Sequence, residues 1–456
     1  MIRRHLPAAS DFRALLTLGV PIVVVQVGLM LMGVVDNIFV GHISGAQLAA
    51  VSLGNLYFFG LSMFGIGVLL ALDPIVAQAV GARDATGAAR GIQRGLVIAA
   101  ILSVPVTLLC LPAEPIFRWL REPPDVVPLA AGFVRMSAPG TLPFFTFVVL
   151  RLSLQAMKHL RPVLVTIAAA NLVNAGLNWV LVYGHLGFPA MGAVGSALSS
   201  TIGRWIMAAT LLALSWTELR PQLAPWHRES LEPGAIARMI GIGLPIGFQF
   251  LLEFGAFAVI ALLAGWFGSD AMAGHQVAIN LASFTFMVPL GISSAAAVLV
   301  GHAVGENDLP HARRVARTAL VCGVSFMVVT AVMMLGAPGV FARIYTSVPG
   351  VIAMASTLIP IAGLFQVFDG LQVVSAGILR GVGDTRAPML ANVIAFWMVG
   401  MPVSLWIGFH QHGGVAGLWW GFVAALGAVA AFLLLRVRVR LSRAVERLWV
   451  EGAPVA

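Results

Sequence analysis

The sequence has too little charge for a soluble protein. Asp, Glu, Lys and Arg make up 10% of its 456 residues, whereas hydrophobic residues make up 59%. A soluble domain carries roughly 25% charged residues, and so few charges cannot cover a chain of this length with polar surface. We therefore predict an all-α polytopic membrane protein, whose helices satisfy their own backbone hydrogen bonds in lipid.

Lysine and cysteine are also scarce. Lys158 is the one lysine among 27 basic residues, and the net charge is +9. On a soluble chain this excess would suggest a nucleic-acid partner. In a membrane protein Lys and Arg mark the cytoplasmic loops instead, so we expect no nucleic-acid binding. Cys110 and Cys322 lie in separate apolar runs and imply no disulfide or metal framework.

Motifs of soluble enzymes are missing as well. The sequence has no phosphate-binding Gly-Lys-Ser/Thr loop, so we expect no coupling to ATP. It has no nucleophile elbow and no His-Glu-x-x-His, so an intramembrane enzyme stays an alternative without a catalytic constellation. His302 and Glu306 have metal-ligand spacing, but they span a glycine-containing turn, which disfavours a metal site. We expect no cofactor.

Apolar runs of about 20 residues, long enough to cross a bilayer, recur along the whole chain. They predict spans at 14–40, 48–78, 92–112, 127–150, 162–183, 192–215, 239–265, 272–300, 315–337, 350–376, 388–409 and 414–435. Twenty-two basic residues fall on one side of these spans and three on the other, with Arg151 counted in the loop after span 4. Both termini are therefore predicted to be cytoplasmic.

The chain repeats itself at an offset of 224 residues. Leu18–Ile22 matches Ile242–Ile246, and Gln78–Asp84 matches His302–Asp308. Six spans per repeat bring both halves in from the same side, which predicts two six-helix lobes related by a pseudo-two-fold along the membrane normal. A cleft between two such lobes suits alternating access. We place the lobes at 1–215 and 238–440, a cytoplasmic linker at 216–237 and a cytoplasmic tail at 441–456.

The repeat also carries paired helix-bending residues. Gly19 and Pro21 in span 1 have the counterparts Gly243 and Pro245 in span 7. Proline removes a helix hydrogen bond, so these positions would let both spans bend. The alternative is that each proline is only structural.

Acidic residues inside the spans need a reason, because a charge at mid-membrane costs about 3 kcal/mol on insertion scales. Asp36, Glu253 and Asp369 have no cationic residue within one helical turn, so pairing along the helix cannot neutralise them. Each is either a structural, hydrogen-bonded carboxylate or a reversible site for a proton, a metal cation or a cationic substrate. Asp73 precedes Pro74, where Asp commonly stabilises local backbone, and we interpret it as structural.

Amides and hydroxyls accompany these carboxylates. Asn171, Asn174 and Asn178 share one face of span 5. They either join helices or, with a hydroxyl from the Ser199–Thr201 run, supply oxygen ligands for a hard cation such as Na⁺.

Other side chains within the spans are basic or aromatic. Arg135 is expected to extend to the outer interface, whereas Arg204 lies nearer mid-span and predicts a carboxylate partner that we do not name. Phe365 and Phe368, beside Asp369, would stack on an aromatic cation.

Together these residues resemble the multidrug and toxic compound extrusion (MATE) family, and its NorM-like branch in particular. The resemblance covers roughly residues 10–440. It is carried by Pro21, Val35-Asp36, Val76–Ala82, Leu177–Trp179, Tyr183-Gly184, Glu253, His275–Asn280, Val304-Gly305 and Asp369–Gln372. Possession of both Glu253 and Asp369 favours this branch over the DinF-like branch.

The resemblance implies a V-shaped, twelve-helix antiporter of the inner membrane that exports lipophilic organic cations in exchange for Na⁺ or H⁺. Coupling-ion residues would be Asp36, Asn174, Asn178, Ser200, Thr201, Glu253 and Asp369, with any Na⁺ at Asp36, Asn174 and Asn178. Substrate-binding residues would be Asp36, Glu253, Gln276, Phe365 and Asp369. Ser200 replaces the usual threonine of the family, and Phe365 replaces a tyrosine. We expect a monomer whose partners are organic cations and lipid.

The expected mechanism is competition for the carboxylates. In the outward-facing state Na⁺ or H⁺ would neutralise them and displace a bound cationic drug, and the inward-facing state would expose them to drug again. The alternative is a flippase for a lipid-linked saccharide or cell-wall precursor. That substrate is anionic and would require a basic cleft.

Overall fold

Within residues 8–448, twelve helices are long and apolar enough to cross a membrane, which confirms the predicted spans. The computed structural model describes residues 8–448; Arg3 and Arg4 of the predicted cytoplasmic N-terminus, and residues 449–456 of the predicted tail, lie outside the described residues. The helices are α1 (Ala9–Gly41), α2 (Gly45–Gly81), α3 (Ala85–Cys110), α4 (Val127–Ala156), α5 (Arg161–Tyr183), α6 (Gly192–Leu214), α7 (Pro233–Gly265), α8 (Ser269–Gly305), α9 (Leu309–Gly336), α10 (Pro349–Gly381), α11 (Arg386–His410) and α12 (Gly414–Ser442). Residues 8–448 contain no β-strand, which confirms the all-α class.

The helix boundaries carry the 224-residue repeat. Helix α7 begins and ends 224 residues after α1, and α8 does the same relative to α2. The connecting turns repeat too, since Asp84 accepts a hydrogen bond from the Gly87 N–H at the start of α3 and Asp308 accepts one from the His311 N–H at the start of α9. A capping carboxylate satisfies a free amide at a helix start. The sequence match at these aspartates is therefore also a match of helix starts.

Several basic residues assigned to loops lie inside the long helices. The prediction that Arg151 belongs to the loop after span 4 is wrong, because α4 continues to Ala156 and buries Arg151. Arg94 in α3 and Arg380 in α10 are buried in the same way. Arginine is a good helix former, so a helix does not end where its apolar run ends.

The described chain divides into two compact units. We call Val24–Gly247 the Asp36 unit, and Phe248–Leu448 together with the chain up to Val23 the Glu253 unit. Each division falls inside a long helix, two residues after Pro21 in α1 and two residues after Pro245 in α7. The lobe boundaries at 215 and 238 stay a prediction.

Within the Asp36 unit, the segment between α6 and α7 is ordered against α3. It contains a short helix (Trp216–Leu223) and a 3₁₀ turn (Arg228–Leu231). Helix α7 begins at Pro233, inside the predicted linker 216–237, because proline fits the first turn of a helix, where its missing N–H is not needed.

Candidate functional site

The Asp36 carboxylate is the centre of a buried polar cluster in the Asp36 unit. Its Oδ1 accepts hydrogen bonds from Asn178 Nδ2 at 2.7 Å and from Asn174 Nδ2 at 3.1 Å. Its Oδ2 accepts one from Ser200 Oγ at 2.7 Å. Asp36 is 3% exposed, and both asparagines are fully buried. Helices α1, α5 and α6 thus bring together four of the residues expected at the first ion site.

Neighbouring polar residues on the same helices bond elsewhere. Thr201 donates to the Met136 carbonyl at 2.8 Å, so its hydroxyl is not among the hydrogen-bond partners of Asp36. Asn171 donates to the Gly28 carbonyl at 3.0 Å and joins α5 to α1. Ser199 donates to the main-chain carbonyl of Asn174 at 3.1 Å. These three side chains hold the helices around the Asp36 cluster.

The donors around Asp36 are all neutral. Three N–H or O–H groups stabilise a negative carboxylate without neutralising its charge. The amide oxygens Asn174 Oδ1 and Asn178 Oδ1 are buried and have no hydrogen-bond partner among the described residues. Rotation of either amide would present that oxygen to a cation held by the carboxylate, a hard donor set suited to Na⁺ as transported substrate. The same carboxylate accepts a proton without such a rotation.

Arg204 lies in the interior of the Asp36 unit, one helical turn after Ser200 on α6. Its guanidinium carbon is 4.2 Å from the centroid of the Phe58 ring and 5.5 Å from that of Phe144. Its Nη1 is 3.5 Å from the Ser137 carbonyl oxygen, and its charge interacts with that of Asp36 through space. The carboxylate partner expected from the sequence is thus replaced by two aromatic faces, which attract a cation through their quadrupoles.

In the Glu253 unit, the carboxylate of Glu253 is likewise surrounded by amide side chains. Its Oε2 accepts a hydrogen bond from Asn392 Nδ2 at 2.9 Å, and its Oε1 accepts one from Gln372 Nε2 at 3.3 Å. The two amides also meet each other, with Gln372 Nε2 at 3.4 Å from Asn392 Oδ1. Helices α7, α10 and α11 therefore hold this carboxylate as α1, α5 and α6 hold Asp36, again with neutral donors.

Asn392 was not predicted from the sequence as a site residue, and Gln372 was predicted only as part of the Asp369–Gln372 motif. The signal was available, because Asn392 is a lone amide at the start of an apolar span and is buried in the structure. A π-helical stretch, Val393–Gly400, follows it directly. π-Helical stretches are rare in proteins, and those that occur often lie at functional sites.

Asp369 lies in the Glu253 unit and interacts with Glu253 as a like charge. Its side chain is 7% exposed and makes no hydrogen bond within residues 8–448. The two carboxylates therefore differ, since Glu253 is held by amides and Asp369 is not. Two like charges in one buried region favour uptake of a cation by one of them.

The two remaining substrate-binding candidates lie in different surroundings. Phe365 is 2% exposed and packs against Trp419 and Phe422, with ring centroids 5.4 Å and 6.2 Å away. Gln276 is on the exposed side of α8, whereas the adjacent His275 is buried and accepts a hydrogen bond from Trp419 Nε1 at 3.1 Å. Within residues 8–448, Gln276 makes no hydrogen bond with the carboxylates, and the ring contacts of Phe365 are with aromatic side chains.

The helix-bending candidates lie within unbroken helices. Pro21 is inside α1 and Pro245 inside α7. A Cβ added to Gly19 would meet only the Ala295 side chain, at 3.7 Å, whereas one added to Gly243 would collide with the Val68 backbone. Gly243 is therefore required for close packing of α7 on α2, and Gly19 has no such constraint.

Asp73 and Arg135, two further charged residues of the predicted spans, each interact with a residue of opposite charge. Asp73, fully buried in α2, interacts electrostatically with Arg151, whose Nη1 lies 3.3 Å from Gln26 Oε1. Arg135 forms an ion pair with Glu114 at 2.8 Å on an exposed short helix. This hydrogen bond holds the pKa of Glu114 below its usual value.

Across residues 8–448, no group of three His, Cys, Asp or Glu side chains is arranged to hold a metal ion. Cys110 and Cys322 are free thiols.

Comparisons with known proteins agree with one another. A protein-family model described as MatE matches residues 21–180 and 245–406. The multidrug resistance protein NorM of Photobacterium profundum is 33% identical over 436 residues, which cover 94% of this chain and 95% of that protein. The multidrug resistance protein MdtK of Yersinia pseudotuberculosis serotype O:1b is 33% identical over 460 residues, covering 98% of this chain and 97% of the relative.

Solved structures match the fold. The crystal structure of the eukaryotic MATE transporter AtDTX14 superposes with a TM-score of 0.87 at 21% identity, covering 94% of this chain and 96% of that one. An outward-facing MATE family transporter of the MOP superfamily gives a TM-score of 0.84 at 20% identity, covering 95% and 96%.

Proposed function

Since this chain belongs to the MatE family, we propose that it is a cation-coupled antiporter that exports lipophilic organic cations. The protein is a multi-pass membrane transporter of small molecules and not an enzyme. The sequence resemblance to the NorM-like branch is confirmed by the curated relatives. The coupling ion, the export cycle, the membrane and the orientation belong to the proposal.

The observation that carries the proposal is the surroundings of Asp36. A buried carboxylate held by three neutral donors keeps a negative charge at the binding position that no salt bridge neutralises. Such a group binds a proton, Na⁺ or a cationic drug by the same attraction, but only one of them at a time. Competition of this kind is the simplest physical basis for exchange.

Glu253 and Asp369 extend the proposal to the second unit. Glu253 keeps its charge among amide donors, and Asp369 lies near it as a second carboxylate. Uptake of one cation there would relieve the repulsion between the two carboxylates. We assign the second coupling or drug site to this pair.

The transport cycle follows from differential binding. Coupling requires that the ion and the drug bind the outward-facing and inward-facing states with different free energies. Outside, Na⁺ or H⁺ occupies the carboxylates and releases the drug; inside, the ion leaves and drug binds again. Bending of α1 and α7 near Pro21 and Pro245 would accompany this change.

The proposed setting is the inner membrane, with both termini cytoplasmic and a monomer as the working unit. The orientation is supported by the excess of basic residues on one side of the spans. The buried carboxylates support a cationic substrate over the anionic lipid-linked precursor that a flippase would carry. Na⁺ or H⁺ is the coupling ion, and no further cofactor is required.

The experiment is an efflux assay with ethidium in cells or proteoliposomes, with Na⁺ and pH gradients imposed separately. Efflux should follow one gradient and stop when an ionophore collapses that gradient. Asp36→Asn should abolish efflux while the protein still reaches the membrane. Ethidium movement that follows neither gradient would refute the antiporter proposal.

A further inference from the structure

Arg204 is a charged group inside the Asp36 unit that the exchange mechanism does not use. A basic side chain inside a membrane protein is costly and usually functional. Arg204 contacts the faces of Phe58 and Phe144 and approaches the Ser137 carbonyl at 3.5 Å. These contacts are all with neutral groups, so they do not compensate the positive charge of Arg204 as the carboxylate of an ion pair would.

The position of Arg204 relates it directly to the ion site. Ser200 donates to Asp36 Oδ2 at 2.7 Å, and Arg204 follows Ser200 by four residues on α6. Four residues rise about 6 Å along a helix and return to nearly the same face. The charges of Asp36 and Arg204 interact within the unit, although neither side chain forms a salt bridge with the other.

The packing around Arg204 confines its guanidinium group. Phe58 is almost fully buried, and a Cβ added to Gly140 would lie 3.1 Å from both Cδ and Nη1 of Arg204. The guanidinium is thus confined by rings on α2 and α4 and by the close backbone at Gly140. It is held near Asp36 without reaching it.

We propose that Arg204 is a fixed countercharge that weakens the binding of the coupling cation at Asp36, so that the cation is released in each cycle. This inference rests on the proposed function of Asp36. A positive charge held nearby repels an incoming Na⁺ or proton but leaves the carboxylate and its three donors intact. Arg204 therefore acts on the coupling cation through its positive charge, and it does not itself bind the cation.

The proposal predicts that ion affinity rises when the charge is removed. In proteoliposomes containing the full chain, ethidium transport is measured against NaCl concentration at fixed pH and against proton concentration at fixed NaCl. Arg204→Gln should lower the half-saturating concentration of the coupling ion by about tenfold, the size expected for a nearby charge at protein dielectric values. Maximal turnover should fall as well, because release becomes slower.

Controls separate charge from packing. Arg204→Lys keeps the charge and should leave the half-saturating concentration near that of the native protein. Arg343→Gln makes the same charge change on an exposed helix, Pro338–Tyr345, and should have no effect. If Arg204→Gln does not reach the membrane, Arg204→Met is measured instead, because it fills the space between the rings without charge.

The outcomes distinguish this inference from the proposed function. If Asp36→Asn transports with native ion dependence, both fail. If Asp36→Asn is inactive but the neutral variants keep the native half-saturating concentration, the role of Arg204 alone is overturned. It is also overturned if Arg204→Lys shifts that concentration as much as Arg204→Gln does, since the effect would then be steric.

Discussion

Gly67 packs against Gly247 so closely that a Cβ built on Gly67 would lie 2.5 Å from the Gly247 Cα. The contact recurs 224 residues along the chain, where a Cβ on Gly291 would lie 3.0 Å from the Val23 nitrogen. Small residues let membrane helices approach to backbone contact. Each unit therefore binds the first part of a proline-containing helix through an equivalent glycine.

We predict that Gly67→Ala and Gly291→Ala both destabilise the protein by about 1–3 kcal/mol, because overpacking displaces a helix backbone. Thermal unfolding in detergent, followed by size-exclusion fluorescence, measures the change. Gly176→Ala is the matched control, since nothing lies within 4 Å of its added Cβ. A control that is destabilised as much as the test variants would contradict the packing argument.

The hydroxyl of Ser200 gives a test of the coupling ion. If protons couple transport, Ser200→Ala removes a donor that favours the charged carboxylate, and half-maximal transport should occur at a lower proton concentration. If Na⁺ couples transport, the loss of an oxygen ligand should raise the half-saturating Na⁺ concentration, by about tenfold for a charge-assisted bond. Thr201→Val should change neither concentration, because Thr201 bonds to Met136.

Asn392 should position Glu253 for its function. Removing its amide in Asn392→Ala leaves the half-buried Glu253 Oε2 without its 2.9 Å hydrogen bond. A hydrogen bond to a charged group contributes about 1.5–3 kcal/mol. We expect altered ion or drug dependence of ethidium transport with normal membrane insertion. Asn171→Ala is the comparison, since that amide bonds to main-chain carbonyls rather than to a carboxylate. Identical transport changes in both variants would indicate general loosening of the helices.

Gln93 should anchor the segment between α6 and α7. Its fully buried amide donates to the carbonyls of Gln222 and Pro225 and accepts from the His227 N–H and the Ser230 hydroxyl. We expect Gln93→Leu to cost about 2–4 kcal/mol, because it leaves several of these buried groups unsatisfied.

Thermal unfolding and limited proteolysis of residues 216–232 measure this loss. The exposed Gln411 provides the control, since Gln411→Ala removes an amide of the same kind from the surface. A native unfolding temperature and an intact segment in Gln93→Leu would mean that other contacts dock it.

The membrane spans and the repeat follow from sequence because they depend on local composition. An apolar run of sufficient length has to form a helix in lipid. Matching turns such as those at Asp84 and Asp308 then repeat the boundaries. Helix ends were less accurate, as at Arg151, because helix formation continues beyond the apolar run.

The site was predictable in part. Helical spacing placed Asn174 and Asn178 on one face, and family resemblance joined them to Asp36 and Ser200. The pairing of Arg204 and Glu253 with their neighbours was not predicted. Asn392 stands out in the sequence as a lone amide, but sequence does not show that it meets Glu253, because Phe58, Phe144, Gln372 and Asn392 come from helices distant in sequence.

The sequence by itself determined a twelve-helix membrane protein and the few charges that lie inside its spans. Tertiary structure alone decided which neutral groups surround each of those charges. Ser200 and Thr201 are adjacent, yet a helix turns about 100° per residue, so one hydroxyl binds Asp36 and the other binds Met136. Contacts of this kind depend on how the helices pack. A helix fixes the direction of each side chain, but a second helix has to be in place before that side chain has a partner.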